Sequence, residues 1–243
     1  MTQPVYAILG ATGGIGAALC RRLASQGARL VIGARDEVRL AALGAEVNAA
    51  CLVTDATQSE QVDAFVARAV ATHGQLNGAA NCVGSLLLKP AHLTTNDEWD
   101  FTMLQNLHSA FYLLRAATKA MKAGGSIVLL SSAAGRAGLA NHEAIAAAKA
   151  GVIGLTLSAA ASYAARNIRV NCVAPGLVAT PLTARITGNE AAVKASAAMH
   201  ALGRIGAPED VASAIAWLLD PANSWVTGQV IGVDGGLATV RPR

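Results

Sequence analysis

The sequence reads Gly10-Ala-Thr-Gly-Gly14-Ile-Gly16 directly after an apolar run, Val5–Leu9, and directly before an alanine- and leucine-rich helical pattern at 15–25. Glycines at such a point permit a tight turn, let backbone N–H groups approach a pyrophosphate, and place it at a helix amino terminus. The alternative is a turn that only packs, but the position between a strand and a helix favours dinucleotide binding. The spacing is Gly-x-x-x-Gly-x-Gly rather than Gly-x-Gly-x-x-Gly.

Strand-like and helical patterns alternate along the rest of the chain. The strand-like runs are Val5–Leu9, Arg29–Gly33, Ala49–Thr54, Gly78–Asn81, Ser126–Leu130, Arg169–Val173 and Gln229–Val233. The helical patterns lie near 15–25, 58–72, 97–121, 143–164 and 208–219. Strict alternation implies a parallel sheet with helices on both faces, joined by right-handed crossovers. We therefore expect one α/β domain over 1–243, a doubly wound parallel β-sheet (Rossmann fold) of about seven strands.

Composition and charge exclude several kinds of partner. The net charge is only +4, and no block of Lys or Arg is present, so we expect no nucleic-acid surface. A mildly basic chain suits an anionic cofactor. The stretch Ala144–Ala165 is apolar but is interrupted by Lys149 and rich in small residues, which predicts a core helix rather than a membrane span.

The chain ends and the cysteines predict a cytoplasmic location. The amino terminus enters a strand pattern at once, which leaves no room for a signal peptide. The four cysteines, at 20, 51, 82 and 172, lie far apart and form no Cys-x-x-Cys motif. This distribution is typical of a reducing compartment, and we expect no metal site.

Further motifs follow the glycine-rich turn in order. They are Asn81-Cys-Val-Gly84, Ser131-Ser132, Lys149, Pro175-Gly176-Leu-Val178-Ala-Thr180 and Val233-Asp234-Gly235-Gly236. Taken together over the whole chain, they resemble the short-chain dehydrogenase/reductase family, and within it the reductases of 3-oxoacyl groups on acyl carrier protein. The resemblance implies hydride transfer between a nicotinamide cofactor and a carbon of a small-molecule substrate.

The resemblance also implies which residues bind the cofactor. They are Gly10, Thr12, Gly14, Ile15, Gly16, Arg35, Asp55, Asn81, Gly84, Lys149, Pro175, Gly176, Val178 and Thr180. Asp55 matches the aspartate that accepts a hydrogen bond from the adenine amino group, although alone it could equally be a helix N-cap.

The end of the second strand predicts the choice between the two nicotinamide cofactors. Ala34 stands where NAD enzymes carry an acidic residue for the ribose, and Arg35 follows it. A guanidinium there can pair with a 2′-phosphate, so we expect NADP(H) to be preferred over NAD(H). In the alternative, Arg35 is a solvated charge and Asp36 binds the ribose.

Three of the family's four catalytic groups have a counterpart here. Asn106, Ser132 and Lys149 match its asparagine, serine and lysine, whereas Ile145 stands at the position of the proton-donating tyrosine. The three tyrosines, at 6, 112 and 163, are not expected to replace it, because Tyr163 lies ~21 Å along the helix from Lys149.

His142 is the candidate for the missing proton donor. We expect Asn141 to be an N-cap followed by His142 and Glu143 in the first helical turn. His142, Ile145 and Lys149 would then share one helix face, and imidazole is a usual general acid near neutral pH. The alternative is that His142 is only part of a polar helix start.

Two functions remain open. The first is an NADP(H)-dependent oxidoreductase that reduces a carbonyl or a conjugated C=C through a modified proton route. The second is a catalytically inactive NADP(H)-binding protein, either a redox sensor or an inactive partner subunit. The irregular stretch Leu177–Leu202 is the candidate substrate lid. Small residues along the helix after Ala144 predict a homotetramer with two-fold symmetry.

Overall fold

A computed structural model describes residues 3–241 and contains one seven-stranded sheet. The strands are β1 (Val5–Leu9), β2 (Arg29–Ala34), β3 (Ala50–Val53), β4 (Gly78–Asn81), β5 (Gly125–Leu130), β6 (Ile168–Pro175) and β7 (Val230–Val233). All neighbouring pairs are parallel, in the order β3-β2-β1-β4-β5-β6-β7. The order reverses next to β1, which confirms the predicted doubly wound sheet.

Helices cover both faces of this sheet. They are α1 (Gly14–Ser25), α2 (Glu37–Val47), α3 (Ser59–His73), α4 (Asn96–Met103), α5 (Ser109–Ala120), α6 (Glu143–Tyr163), α7 (Ala184–Thr187), α8 (Glu190–Met199) and α9 (Pro208–Leu219). Successive residues of β1 point to opposite faces, so Ile8 joins the core beneath α1, α2 and α9. Leu9 joins the core beneath α3, α5 and α6. Burial of both faces explains why the strands are almost wholly apolar.

The structure corrects the predicted elements at three places. Helix α2 was missed, although Asp36 caps it and Leu40 and Leu43 form its buried side. The predicted helix 97–121 is divided by a π-helical turn, Leu104–His108. Strand limits differ from the predicted ones by at most two residues, the largest difference being the extension of β6 to Pro175.

The structure also corrects the argument from sequence that α6 does not span a membrane. By length and composition, 143–166 could cross a membrane, so the interruptions in its sequence do not decide the matter. Its packing does: Ala148 and Val152 are fully buried, and the helix lies against β6. We therefore identify α6 as a core helix of the fold.

The stretch after β6 is more regular than predicted. It contains the short helices α7 and α8, and Asn189 caps α8 by accepting the N–H of Ala192 at 3.0 Å. Leu177 and Ala179 are hydrogen-bonded to Gly206, which brings the two ends of the stretch together. The helices thus stand as one unit above the carboxyl end of β6.

Candidate active site

A cleft at the carboxyl edge of the sheet, which we call the glycine-loop cleft, lies around the turn from β1 to α1. Its volume is about 660 Å³. Gly10 adopts a φ of +79° there and donates its N–H to the Gly33 carbonyl at 2.8 Å. A Cβ atom on Gly14 would lie 2.7 Å from a methyl carbon of Thr180. Glycine is therefore required at position 10 because of the positive φ, and at position 14 because the Thr180 side chain packs closely against the backbone.

Most residues predicted to bind the cofactor line this cleft. They are Gly10, Thr12, Gly14, Ile15, Arg35, Asp55, Gly84 and Thr180. Two predicted residues lie behind it instead. Gly16 is buried, and a Cβ there would meet the Gly10 carbonyl. Asn81 is buried, donates to the Ser109 hydroxyl at 3.1 Å and accepts the Val83 N–H at 3.0 Å, so it holds the adjoining loop in place.

The end of β2 carries the residues named in the two cofactor alternatives. Ala34, the last residue of the strand, is buried, and Arg35 and Asp36 both line the cleft. One oxygen of Asp36 caps α2 by accepting the Arg39 N–H at 3.0 Å. The Arg39 guanidinium lines the same cleft and donates to the Thr12 carbonyl at 2.7 Å. Two guanidinium groups therefore adjoin this end of the cleft, and sequence reasoning missed the second.

Asp55 lies at the cleft wall rather than at a helix end. One of its oxygens accepts the N–H of Thr57 at 2.9 Å and the hydroxyl of Thr57 at 2.8 Å. Helix α3 begins four residues later, after Gln58. The N-cap alternative is thus wrong, and the other Asp55 oxygen is available to a ligand.

A smaller inner cavity of about 140 Å³ continues from the glycine-loop cleft. It brings together all four residues matched to the family's catalytic positions: Asn106, Ser132, Ile145 and Lys149. Its other walls include the remaining predicted cofactor residues, Pro175, Gly176 and Val178, together with Gly84 and Thr180, which it shares with the glycine-loop cleft. Residues from the ends of β4, β5 and β6 therefore meet at one point, as the parallel sheet requires.

Asn106 lies in the π-helical turn, and both its amide nitrogen and its amide oxygen form hydrogen bonds within the protein. Its amide nitrogen donates to the Ser85 hydroxyl and to the Thr102 carbonyl, both at 2.9 Å. Its amide oxygen accepts the Ser85 N–H at 3.2 Å. The side chain therefore ties the loop after β4 to the turn. Turns of this kind often occur at functional sites.

Lys149 is a buried cation beneath the inner cavity. Its Nζ donates to the Leu130 carbonyl at 2.9 Å, and its own carbonyl accepts the Ser131 hydroxyl at 2.8 Å. These bonds lock α6 to the end of β5. Burial lowers the pKa of Lys149 to about 8, with a small opposing contribution from the Cys172 and Cys82 thiols. The amine can thus carry or release a proton close to neutral pH.

Ser132 and Ile145 both line the inner cavity but differ in chemistry. The Ser132 oxygen accepts the Ala134 N–H at 3.1 Å, and its hydroxyl hydrogen has no acceptor within residues 3–241. Ile145 is 3% exposed and presents only carbon atoms. Of these two residues, only Ser132 therefore offers a hydroxyl to a substrate oxygen.

A third cavity, which we call the apolar chamber, opens beyond Ser132 and Ile145 and has a volume of about 420 Å³. His142 lines it, but not as predicted. Asn141 is in the left-handed region, at φ +63°, and its carbonyl accepts the Lys89 N–H at 2.7 Å. His142 is therefore itself the N-cap of α6, which begins at Glu143. Its Nδ1 lies 2.7 Å from the Ala140 carbonyl, which leaves Nε2 for a ligand.

The three tyrosines lie elsewhere, as predicted. Tyr6 is buried in β1, with its hydroxyl 3.5 Å from the Leu219 carbonyl. Tyr112 is half-buried on α5 beside Arg115, and Tyr163 lies at the end of α6 beneath Arg166. None of them lines the inner cavity or the apolar chamber in the described part of the chain.

Comparison with known proteins agrees with this arrangement. A family model described as enoyl-(acyl carrier protein) reductase matches residues 10–238. Cis-4-hydroxycyclohexanecarboxylate dehydrogenase of Sinomonas cyclohexanicum is 41% identical, with 98% of each chain covered. A 3-oxoacyl-[acyl-carrier-protein] reductase of Thermotoga maritima is 36% identical over 96% of this chain and 97% of its own.

Solved structures show the same similarity. A short-chain type dehydrogenase/reductase from Mycobacterium ulcerans superimposes with a TM-score of 0.94 at 32% identity, covering 100% of this chain and 92% of its own. A variant of actinorhodin polyketide ketoreductase with NADPH gives a TM-score of 0.93 at 28% identity, covering 98% of both chains.

Proposed function

The chain belongs to the short-chain dehydrogenase/reductase family, and on that premise we propose that it is an NADP(H)-dependent oxidoreductase. Its reaction is hydride transfer to a carbonyl or a conjugated C=C, with a proton route altered by Ile145. The observation that carries the proposal is the meeting of the glycine-loop cleft with Asn106, Ser132 and Lys149 in one inner cavity.

The residues of the glycine-loop cleft fit a dinucleotide. The amino terminus of α1 opens directly on the cleft, where Gly13 and Gly14 leave the backbone exposed to a pyrophosphate. The unpaired oxygen of Asp55 suits the adenine amino group, and Lys149 and Thr180 lie at the nicotinamide end. When bound, the cofactor supplies the hydride.

Two features favour NADP(H). Arg35 and Arg39 both line the cleft where the adenosine ribose would lie, and guanidinium groups pair well with phosphate. Asp36, the alternative ribose ligand, already caps α2 through one oxygen. A ribose 2′-phosphate at this position therefore gains two cations.

In the catalytic half, each residue has a distinct part. Ser132 donates its hydroxyl hydrogen to the substrate oxygen and orients the reacting carbon. Lys149 holds the ribose and keeps the cavity floor positively charged. Asn106 positions the loop after β4 through its two bonds to Ser85. Ile145 leaves the tyrosine position without a proton donor.

A proton must then come from another group. We favour His142, which lines the apolar chamber as Ile145 does and whose Nδ1 contact with the Ala140 carbonyl leaves Nε2 for a ligand. Water is the other source, and it suits C=C reduction, where the proton can be added after the hydride. A positioned general acid contributes about 10²–10⁴-fold, so its loss slows carbonyl reduction without abolishing hydride transfer.

The direct test is NADPH oxidation with a panel of ketones, oxoacyl thioesters and enones, together with NADPH and NADH dissociation constants. We expect tighter NADPH binding and turnover of at least one class. Tight NADPH binding without any turnover would favour the inactive binding protein, and tighter NADH binding would overturn the cofactor assignment.

We also propose a homotetramer that acts in a reducing compartment, the cytoplasm. Phe111 on α5 and Leu157 on α6 are about half exposed, which suits a helix interface between copies. The four cysteines of the described chain are unpaired. A monomeric mass by light scattering would reject the tetramer, and recovery in an exported fraction would reject the location.

A further inference from the structure

The apolar chamber differs from the other cavities of the site in the chemistry of its walls. It is lined by Leu86, Leu88, Ser132, Ala133, Ala134, Leu139, Ala140, His142, Ile145, Pro175, Gly176, Leu177, Thr183, Ile186, Ala192, Ala195, Ser196, Met199 and Leu237. Within the described chain, no Lys, Arg, Asp or Glu is among them. The glycine-loop cleft, in contrast, contains Arg35, Arg39, Asp36 and Asp55.

The few polar groups of the chamber differ in whether they are free to bind a substrate and in where they lie. The Thr183 hydroxyl is already bonded to the Val178 carbonyl at 2.6 Å. Ser132 and His142 lie at the inner end, beside Ile145. The Ser196 hydroxyl also lines the chamber, on the α8 side, but it carries no charge, so the body of the chamber towards Met199 is mainly hydrocarbon. An anionic substituent there would lose its hydration without gaining a counter-ion, which is costly.

The chamber is also large enough for a substantial substrate. Its 420 Å³ falls within the usual range of about 300–1,000 Å³ for small-molecule pockets. Residues from the loop after β4, from the start of α6 and from α7 and α8 surround it, so the substrate body would be enclosed on several sides.

From these walls we infer the substrate class: an uncharged ketone or enone with an apolar body of ring size, held at one end by Ser132. The inference rests on the proposed function. Carboxylates and other anionic carbonyl compounds are expected to be poor substrates, because no Lys or Arg lines the chamber and its one imidazole, that of His142, lies at the inner end and not along the body.

A matched pair of compounds tests the inference. Methyl 4-(3-oxobut-1-enyl)benzoate and its free carboxylate share a ketone and a conjugated C=C and differ only at the remote group, which is a neutral methyl ester in one and an anion in the other. We expect kcat/KM with NADPH to be about tenfold or more higher for the ester, with the same ratio in dissociation constants measured by calorimetry on the NADP⁺ complex, which has no hydride to transfer. Equal or better binding of the carboxylate, or no binding of either compound, would overturn the inference.

A pair of variants tests whether the chamber wall is the cause. Met199→Lys places a cation at the chamber, whereas Ala198→Lys adds the same charge to an exposed neighbour on α8 that does not line it. The first should reduce the ester preference about tenfold, and the second should leave it unchanged. Equal effects of both variants would mean that overall charge, not the chamber, sets the preference.

Failure of the inferred substrate class can be distinguished from failure of the proposed function. If NADPH binds but no compound is turned over, the proposed function fails, and the calorimetric ratio still tests the chamber. If NADPH does not bind, the proposed function also fails, and calorimetry of the two compounds on the cofactor-free protein tests the chamber instead. If NADPH binds and the carboxylate is preferred, only the substrate class is wrong.

Discussion

Asp36 accepts the backbone N–H of Arg39 through Oδ1 at 3.0 Å, so the first carboxylate after β2 serves the start of α2. The Arg39 side chain lines the glycine-loop cleft, as Arg35 does, and donates there to the Thr12 carbonyl at 2.7 Å. One oxygen of the acidic candidate for a ribose ligand is thus engaged at the start of α2, where the residue it caps also brings a second cation to the cleft.

Arg35→Ser should weaken NADPH binding about 10- to 100-fold, because a charge-assisted bond to phosphate is lost. NADH binding should change by less than about threefold. Dissociation constants from cofactor fluorescence measure both. Arg22→Ser removes an exposed arginine of α1 outside the cleft and should change neither. An equal loss for the two cofactors would contradict a role in phosphate recognition.

Ile145→Tyr should create or raise ketone reduction by about 10²–10⁴-fold, because it returns a hydroxyl above Lys149 and opposite Ser132. Steady-state kcat with NADPH is the measurement. Ile145→Phe is the control, since it adds the ring without the hydroxyl and exposes any cost of overpacking. A gain with both variants, or with neither, would show that the proton donor is not what limits this site.

His142→Ala should lower kcat about 10- to 100-fold on a substrate that is turned over, because it removes the imidazole at the chamber. Glu143→Ala, an exposed change in the first turn of the same helix, should leave kcat unchanged. Unchanged turnover in His142→Ala would assign the proton to water.

Lys149→Met should stabilise the cofactor-free protein at neutral pH. Burial lowers the pKa of Lys149 to about 8, against ~10.4 for an exposed lysine. The Lys149 amine therefore binds its proton more tightly in the unfolded chain than in the folded one. Below pH 8 the amine is charged in both states, and its burial lowers the free energy of unfolding by the full amount. This loss of stability disappears as the pH rises from about 8 to about 10.5, because the amine becomes neutral.

The expected gain for Lys149→Met is up to about 3 kcal/mol at pH 7 and little at pH 10, measured by urea unfolding. Lys119→Met, at an exposed site on α5, should show no such difference between the two pH values. A gain that is equal at both pH values would point to packing, not charge. Turnover should be lost in Lys149→Met at either pH.

The sequence was sufficient for the sheet and for most of the cavity walls. Strands β1 and β4 begin and end where their apolar runs do, and the glycine-rich turn lies where its spacing predicts. Parallel strands place their carboxyl ends together, which is why motifs far apart in the chain, such as those of Ser132 and Gly176, line one cavity.

The missed features depend on contacts that a linear pattern does not contain. Helix α2 had a local signal in Asp36, but the residues around it were interpreted only as cofactor ligands. The π-helical turn around Asn106 changes hydrogen-bond register within residues that all suit an ordinary helix. The shift of the α6 cap from Asn141 to His142 depends on the bond from the distant Lys89 N–H.

The bridge between Val178 and Gly206 determines which parts of the substrate pocket can vary in sequence. Gly206 donates to the Leu177 carbonyl at 2.8 Å and accepts the Ala179 N–H at 2.9 Å, so the stretch between them leaves and rejoins the body at one place. The chamber walls on α7 and α8 thus lie between two anchored ends and away from β4, β5 and β6, whose ends carry the inner cavity. Substitutions at Ile186, Ala192 or Ala195 would therefore change the shape of the substrate pocket while leaving the residues matched to the catalytic positions in place.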